Sequence, residues 1–551
     1  MNESKRLITF IVLSGIILFG FNLIFPPSKS GKPSRQESPV SSSPAPAKTE
    51  AASPSSDRLK TSAPAQKTQE IRTIEEKLVA VETGLYTATF ATIGATLKSF
   101  ALKAYTDSFD KKSGDPIELI PNKASYTYLA FSIPGYDLEN SAWDFTGRTE
   151  KDGETKLVFS SRIRQGVTAE RTYTLRDDSY LISSDIKIIN NSGVPAVFKD
   201  MAYSWGPNIH RLPADTLREK VGFFHYNRVY YPVLKNKSKH KEINLKIQEE
   251  RITTLAEKPE WVVFKDMYFV TSFLFNALTD YKEIQIKETP GGFAFLTVNL
   301  KDVLIEPGAS ESFKIDSYIG PQEYKKLKKH GMQAAIDLGW IKFLGVWMFY
   351  GMDFLYSITN NYGVAIILLT ILIRGLLWYP SQKSYKHMKE TQKKMNVIKP
   401  RMETLKKIYK DDSKKMNEEM MKLYQEYKIN PFGGCLPMLL QLPIFIALYQ
   451  TLVSMVELKG ASFAFWLKDL SIPDPLYILP FFMGTTMFIQ TKMSQTMSPS
   501  PEAETQQKIL LFGMPIFLTF LSFNWPSGLL LYWSVSNLLG ILQQFFVNKS
   551  K

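Results

Sequence analysis

Residues 363–379 read GVAIILLTILIRGLLWY. The run is predominantly apolar and carries one charge, Arg374. As a helix rising about 1.5 Å per residue it spans roughly 25 Å, most of the hydrocarbon thickness of a bilayer. A helix-centre Arg costs about 2.5–3.5 kcal/mol on insertion scales, so it is kept only where something compensates it. The interiors of the other apolar runs hold no Asp, Glu, Lys or His, so no ion-pair partner is evident. Two readings stand. Arg374 lies five residues before Tyr379, near enough for its side chain to snorkel to the interface. Alternatively it faces water inside the protein.

Upstream, Lys5 and Arg6 precede the apolar run 7–25, LITFIVLSGIILFGFNLIF. That run is longer than a signal-peptide core, and no A-x-A site or cysteine directly follows it, which predicts an uncleaved anchor over 1–25 with its basic end in the cytoplasm. Residues 26–70 are rich in Pro, Ser, Ala and Lys. They hold too few large apolar side chains to build a core and predict a disordered tether. Residues 71–320 alternate short apolar runs with turn residues, as in ERTYTLRDDSYLISSDIKI at 170–188 with its turn at Asp177–Asp178. Many such strands predict a large β-sandwich. Residues 321–361 begin basic and become apolar, with Trp340, Trp347 and Tyr350. Those aromatics suit a helix lying at a membrane surface, leading into a span at 362–380.

Downstream, residues 381–430 carry fourteen Lys and Arg, which places this loop in the cytoplasm. Met388, Met395, Met402 and Tyr409 recur at intervals of seven, with Ile398 and Leu405 three positions after two of them. That spacing predicts a coiled-coil seam in an antiparallel helical hairpin, turned at 411–413 and with Pro400 as a candidate kink. The methionines either fill the seam or offer an adaptable surface to varied partners. Further spans are predicted at 431–456, 476–490, 509–523 and 525–547, with a cytoplasmic loop at 491–508. The total is six, with both termini in the cytoplasm and residues 26–361 on the opposite side. Two of these spans are short and would thin the bilayer around them. Thr370, Gln441, Gln450, Thr485, Thr519, Ser534, Ser536 and Asn537 lie inside the spans. They either make interhelical hydrogen bonds or line a wet cavity.

The net charge of +14 is concentrated beside the spans, which points to topology and lipid contact before nucleic acid. A single cysteine, Cys435, allows no intrachain disulfide, and the five histidines are scattered without metal-ligand spacing. No P-loop, dinucleotide-binding glycine fingerprint or nucleophile elbow is present. These features count against an enzyme. A secondary transporter would show a paired-charge site and repeated halves, and neither is visible. An enzyme acting on glycans outside the cytoplasm would need convergent carboxylates in the β region, and no such constellation stands out.

Two motifs are distinctive: NPFGGCLPMLLQLPIFIALY at 430–449, and WPSGLLLYWSVSN at 525–537 followed by Gln543–Gln544. Together they resemble the signatures of the YidC/Oxa/Alb family of membrane-protein insertases. The first anchor, the long insert and its ending YIGPQEYKKL at 318–327 resemble the Gram-negative form. The resemblance implies a polytopic α-helical membrane protein of six transmembrane helices. It also implies a large periplasmic β-supersandwich of galactose-mutarotase-like type, without that enzyme's activity. Five helices would form a hydrophilic groove open to cytoplasm and lipid and closed on the periplasmic side. The family's groove arginine falls on Arg374, with Thr370 one turn away and Gln441 nearby. Positions that guide the client helix fall on Leu442, Pro443, Phe445 and Ala447, then Phe517, Phe520 and Phe523, with Tyr532 and Trp533 toward the periplasmic side. A Thr common in the last span is replaced here by Gly540. The implied partners are nascent membrane proteins, the Sec translocon, the ribosome or signal-recognition machinery at the cytoplasmic loops, and lipids, but no DNA. No catalytic residue, cofactor or metal is implied, and the location is the inner membrane, multi-pass.

Overall fold

The computed structural model describes residues 76–106, 115–120, 127–207, 228–233, 236–244, 250–256, 258–278, 281–289, 293–336, 338, 341–409, 412–429, 436–494 and 509–549. The predicted anchor and tether lie outside these residues, as do Trp340, Cys435 and positions 495–508.

From Leu78 to Pro321 the described chain is almost wholly strand. One nine-stranded sheet runs, edge to edge, Leu78–Glu82, Tyr86–Ala91, Leu97–Thr106, Thr127–Ser132, Ala202–Gly206, Phe293–Leu300, Tyr281–Thr289 and Arg251–Thr254, with Pro116–Ile120 also on Leu97–Thr106. The other runs Asn236–Asn244, Arg228–Val233, Trp261–Lys265, Phe269–Leu274, Ser310–Pro321, Leu181–Asn190, Val167–Arg176, Glu154–Arg164 and Asp144–Lys151. The period-two pattern is clear in VTAERTYTLR, Val167–Arg176, where every second residue is buried. Its partner Leu181–Asn190 pairs antiparallel in the register Leu175 opposite Ile182, across the Asp177–Asp178 turn.

The two sheets pack face to face. Phe90 of the first meets Tyr173 of the second at 4.4 Å between ring centroids, and Trp205 meets Phe273 at 5.0 Å. Arg171, fully buried between them, donates to the carbonyls of Leu129 and Gly94 and to Ser184 Oγ. A buried cation is tolerable only when hydrogen-bonded in this way. The Tyr173 ring lies 4.7 Å from its guanidinium carbon.

Helices follow. We label them α1 (Tyr324–Lys329), α2 (Lys342–Thr359), α3 (Tyr362–Leu376), α4 (Trp378–Ile408), α5 (Ser413–Glu426), α6 (Leu436–Ser454), α7 (Ile478–Ser494), α8 (Met514–Ser522) and α9 (Ser527–Lys549). The predicted surface helix over 321–361 is therefore in pieces, α1 and α2, with a 3-10 turn at Gln333–Ala335 between them. On α2 the residues Gly345, Met348, Phe349, Met352 and Leu355 are buried, while Phe343, Trp347, Phe354 and Ile358 stand exposed on the opposite face.

Asn360 ends α2 in the left-handed conformation, at φ 51°, and the Asn361 side chain then caps α3 by accepting from Val364 N at 3.1 Å. The α3 helix stops at Leu376, short of the end of the apolar run, and α4 leaves it at 62°. Pro380 is one physical cause. It has no N–H to donate to the Leu376 carbonyl four residues back, and its ring crowds that oxygen. Pro400, in contrast, sits inside α4 without ending it. The predicted span over 509–523 is split, with a π turn at Ile509–Gly513 leading into the nine residues of α8. Among the described residues only α9 is long and apolar enough to cross a membrane alone, and the bent pair α3–α4 gives a second crossing if taken as one.

Within the helical part α9 packs on α7, α3 and α6, while α8 packs on α7 and α2 on α3 and α6. The segment between α6 and α7 closes one end of this assembly. Ser527 Oγ donates to Asp469 O at 3.0 Å, Gly528 N to Leu470 O at 2.9 Å, and Asn361 Nδ2 to Phe463 O at 3.0 Å. Gly363 admits the Phe463 ring, because a Cβ there would sit 2.1 Å from Phe463 Cδ2.

Candidate functional site

Arg374 lies in the last turn of α3. Its side chain turns toward α9, where Nε and Nη2 donate to Ser536 Oγ at 3.0 and 2.7 Å. Ser536 is buried, and it lies between Tyr532 and Gly540 at intervals of four on one face of α9. Gln441 of α6 completes the cluster by donating to Tyr532 Oη at 2.7 Å. A Cβ on Gly540 would lie 2.6 Å from Gln490 Nε2 and 3.6 Å from Arg374 Nη2. The missing side chain thus lets a glutamine of α7 and the guanidinium meet the backbone of α9. No described carboxylate pairs with Arg374 within 4.0 Å. The guanidinium is therefore held by a neutral hydroxyl and not by an acid.

Thr370, one turn before Arg374, is buried and donates to Ile366 O at 2.6 Å, so its hydroxyl is spent within its own helix. Further along α9, Asn537 donates to Thr486 Oγ1 at 3.2 Å, Gln544 to Met493 O at 2.7 Å and Gln543 to Trp378 O at 2.9 Å. These bonds tie α9 to α7 and to the start of α4.

The positions expected to guide a client helix divide into two sets. Phe517 and Phe520 stand exposed on α8, and half-buried Phe523 meets Tyr477 edge-on and Phe481 at a tilt. Leu442, Pro443 and Phe445 are half-buried on α6, with Phe445 at 4.5 Å from Trp533 between ring centroids. Ala447 and Tyr532 differ from the expectation. Ala447 is fully buried one turn before Thr451, whose hydroxyl reaches Gly345 O on α2 at 3.3 Å. The Ala447 side chain is small where two helices approach and presents no surface. Tyr532 is also buried and holds Gln441 rather than offering its ring.

The hairpin seam is shorter than the sevenfold repeat suggests. Met395, Ile398 and Met402 pack with Met416, Met420, Leu423 and Tyr424 of α5, and Tyr409 lies against them. Met388 does not join; it packs with Tyr385 and Val547 of α9. The reason is length. The fourteen residues of α5 cover roughly 21 Å, enough to face residues 395–409, and Met388 falls about 10 Å beyond. Beside it, Lys389 Nζ donates to the carbonyls of Val547 and Asn548 at the end of α9, both at 3.0 Å, a favourable place for a cation.

Sequence reasoning had Ser536 only among a set of intramembrane polar residues, and it missed Gln490. The fourfold spacing of Tyr532, Ser536 and Gly540 was the available signal. Finding the partner across it required knowing which face of α3 meets α9.

The chain matches two family profiles, that described as the YidC periplasmic domain over residues 78–351 and that described as 60Kd inner membrane protein over residues 354–551. The membrane protein insertase YidC of Pelobacter propionicus is 35% identical over 567 residues, covering 99% of both chains. The protein of the same name from Syntrophus aciditrophicus is 33% identical over 565 residues, again covering 99% of each. Among solved structures, the crystal structure of an active YidC insertase with its first transmembrane domain resolved aligns over 87% of this chain and 93% of that one, at 19% identity and a TM-score of 0.35. Identity at this level over the full length, with the β domain and the helical core matched in order, means that the chain belongs to the YidC family of membrane protein insertases.

Proposed function

We propose that this chain inserts nascent membrane proteins sideways into the inner membrane through a hydrophilic groove centred on Arg374, alone or together with the Sec translocon. The observation that carries this reading is the state of Arg374. A cation inside an apolar helix assembly, bonded to a serine and not to an acid, remains available to attract acidic residues of a moving segment. A polar client segment must cross hydrocarbon, and a wet groove would shorten that path. The apolar client helix then leaves into lipid, where burial is favourable. Exposed Phe517 and Phe520 on α8 and half-buried Leu442, Pro443 and Phe445 on α6 suit the guiding of that helix.

In this reading residues 26–361 lie in the periplasm and both termini in the cytoplasm, with spans over 1–25, 362–380, 431–456, 476–490, 509–523 and 525–547. The exposed aromatic face of α2 suits contact with the membrane surface. The basic hairpin over 381–430 and the loop over 491–508 suit the ribosome or signal-recognition machinery. The transporter and glycan-enzyme readings lack a supporting observation, and the relatives carry the name of insertases.

The test is insertion of a short two-span protein into liposomes that contain only this chain. Protease-protected client must appear in these liposomes and not in protein-free ones. Equal protection in both would end the proposal. Labelling of single cysteines in a Cys435→Ser background tests the topology, and access to position 412 from the periplasm would reject it.

A further inference from the structure

Three N–H groups of the Arg374 guanidinium, two on Nη1 and one on Nη2, remain unbonded to any described residue; the Nε–Nη2 edge is occupied by Ser536 Oγ. We propose that Ser536 is a positioning residue that fixes this edge and thereby presents the Nη1–Nη2 edge to a carboxylate of the client segment. The proposal rests on the reading of Arg374 given above.

Four observations carry it. Ser536 is buried, so its hydroxyl sits at a fixed place on α9. Two guanidinium donors converge on it, which restrains the guanidinium plane as one bond would not, and Gln441 Nε2 also donates to it at 3.5 Å. Gly540 leaves space for Gln490 and the guanidinium on the next turn of the same helix face. Tyr532, on the preceding turn, is held by Gln441, so the stripe is braced from α6 as well. The choice of a hydroxyl follows from electrostatics. A carboxylate at 536 would neutralise the cation before a client arrived. A serine satisfies the donors, leaves the charge unneutralised, and binds the guanidinium less tightly than the bidentate ion pair that a client carboxylate would make. With no acceptor at 536, the long side chain is free to turn toward the interface near Tyr379. The terminal edge then matches a carboxylate in the parallel two-bond geometry open to Arg and closed to Lys.

The test uses the full chain in proteoliposomes at equal protein level, with two clients that differ only in carrying Asp or Asn in the translocated segment. The readout is the ratio of acidic to neutral client inserted. Ser536→Ala is expected to lower this ratio by about tenfold, the order of one charged hydrogen bond. Ser536→Thr, which keeps the hydroxyl, should restore it to within about twofold of the original. Ser536→Asp should lower the ratio as far as Arg374→Ala does, through neutralisation. Ser536→Ala with an unchanged ratio, while Arg374→Ala lowers it, would overturn the role of Ser536 and leave that of Arg374. Equal loss on both clients, with a lowered melting temperature, would make Ser536 merely structural and would also overturn the proposal. An unchanged ratio in Arg374→Ala would remove the reading beneath it, and the proposal with it.

Discussion

The 62° bend between α3 and α4 has two candidate causes, and their magnitudes decide between them. Pro380 disfavours a straight helix by about 3 kcal/mol, through a missing hydrogen bond and a clash with the Leu376 carbonyl. The second cause is the contact of α4 with the end of α9. Met388 and Val547 are buried there beside Tyr385, and two such side chains contribute roughly 3–6 kcal/mol together. The Gln543 bond to Trp378 O adds about 0.5–1.5 kcal/mol. The Lys389 bonds are partly exposed and add little by comparison. The contact therefore outweighs the proline, and Pro380→Ala by itself is expected to leave the bend in place. Adding Val547→Asp and Gln543→Ala should release it. Position 403 lies 25 residues into α4, about 37 Å from the bend. Straightening through 62° would swing that position by about 38 Å along the chord. Spin labels at 403 and at exposed position 538 of α9, in the Cys435→Ser background, read this distance by pulsed electron resonance. A large increase in Pro380→Ala alone would show that the proline holds the bend. An unchanged distance in the triple variant would refute both causes.

Three further outcomes are expected. Unit charges about 4 Å apart attract by about 4 kcal/mol at an effective dielectric near 20 and by about 1 kcal/mol in bulk water; in Arg374→Ala the preference for acidic over neutral matched clients should fall within the corresponding range, and equal losses on both would remove the electrostatic role. Met395→Asp with Met402→Asp places two carboxylates among Met416, Met420 and Leu423 and should unfold the hairpin and lower insertion. Proteolysis between residues 381 and 430 would report the unfolding, and normal insertion with a cleaved hairpin would show it to be dispensable. Glu457, in the turn after α6, has its carboxyl pushed up to about 7 by burial, with Glu323 and Asp353 adding to the rise and a hydrogen bond from its own backbone N–H and the charge of Lys326 opposing it. A carboxyl raised in the folded state stabilises most below its unfolded value near 4.5, and that stabilisation is lost as pH climbs through about 7. Between pH 5 and 8 the chain should lose up to about 3 kcal/mol relative to Glu457→Gln. Parallel melting curves for the two across this range would count against it. His330, held below its usual value by burial, is common to both chains and cancels in the comparison.

Much was legible in the chain itself because it follows from local periodicity. Alternation in VTAERTYTLR forces a half-buried strand, and the basic excess between residues 381 and 430 marks a solvated hairpin wherever the helices lie. The sevenfold methionine repeat revealed a seam, but not its length, since that depends on how far α5 extends alongside. The span predicted over 362–380 runs through the break after Leu376, because the contact with Val547 that helps set the bend is not written in the local pattern. Burial of Ala447 and Tyr532 was likewise hidden, because in an all-apolar helix no polar face records which side meets a neighbour.

The sequence by itself determined the order of β domain, hairpin and apolar helices, the excess of positive charge beside them, and the presence of one arginine without an acidic partner in the spans. Only the tertiary structure decided what Arg374 does with its donors. Its partner Ser536 lies 162 residues away on α9, and Gln490 and Gln441 come from two further helices. Short-range pattern reports the face a helix must bury. Which face of another helix covers it is set by packing among several near-equivalent apolar surfaces, and only the folded arrangement brings α3 against the Tyr532–Ser536–Gly540 stripe.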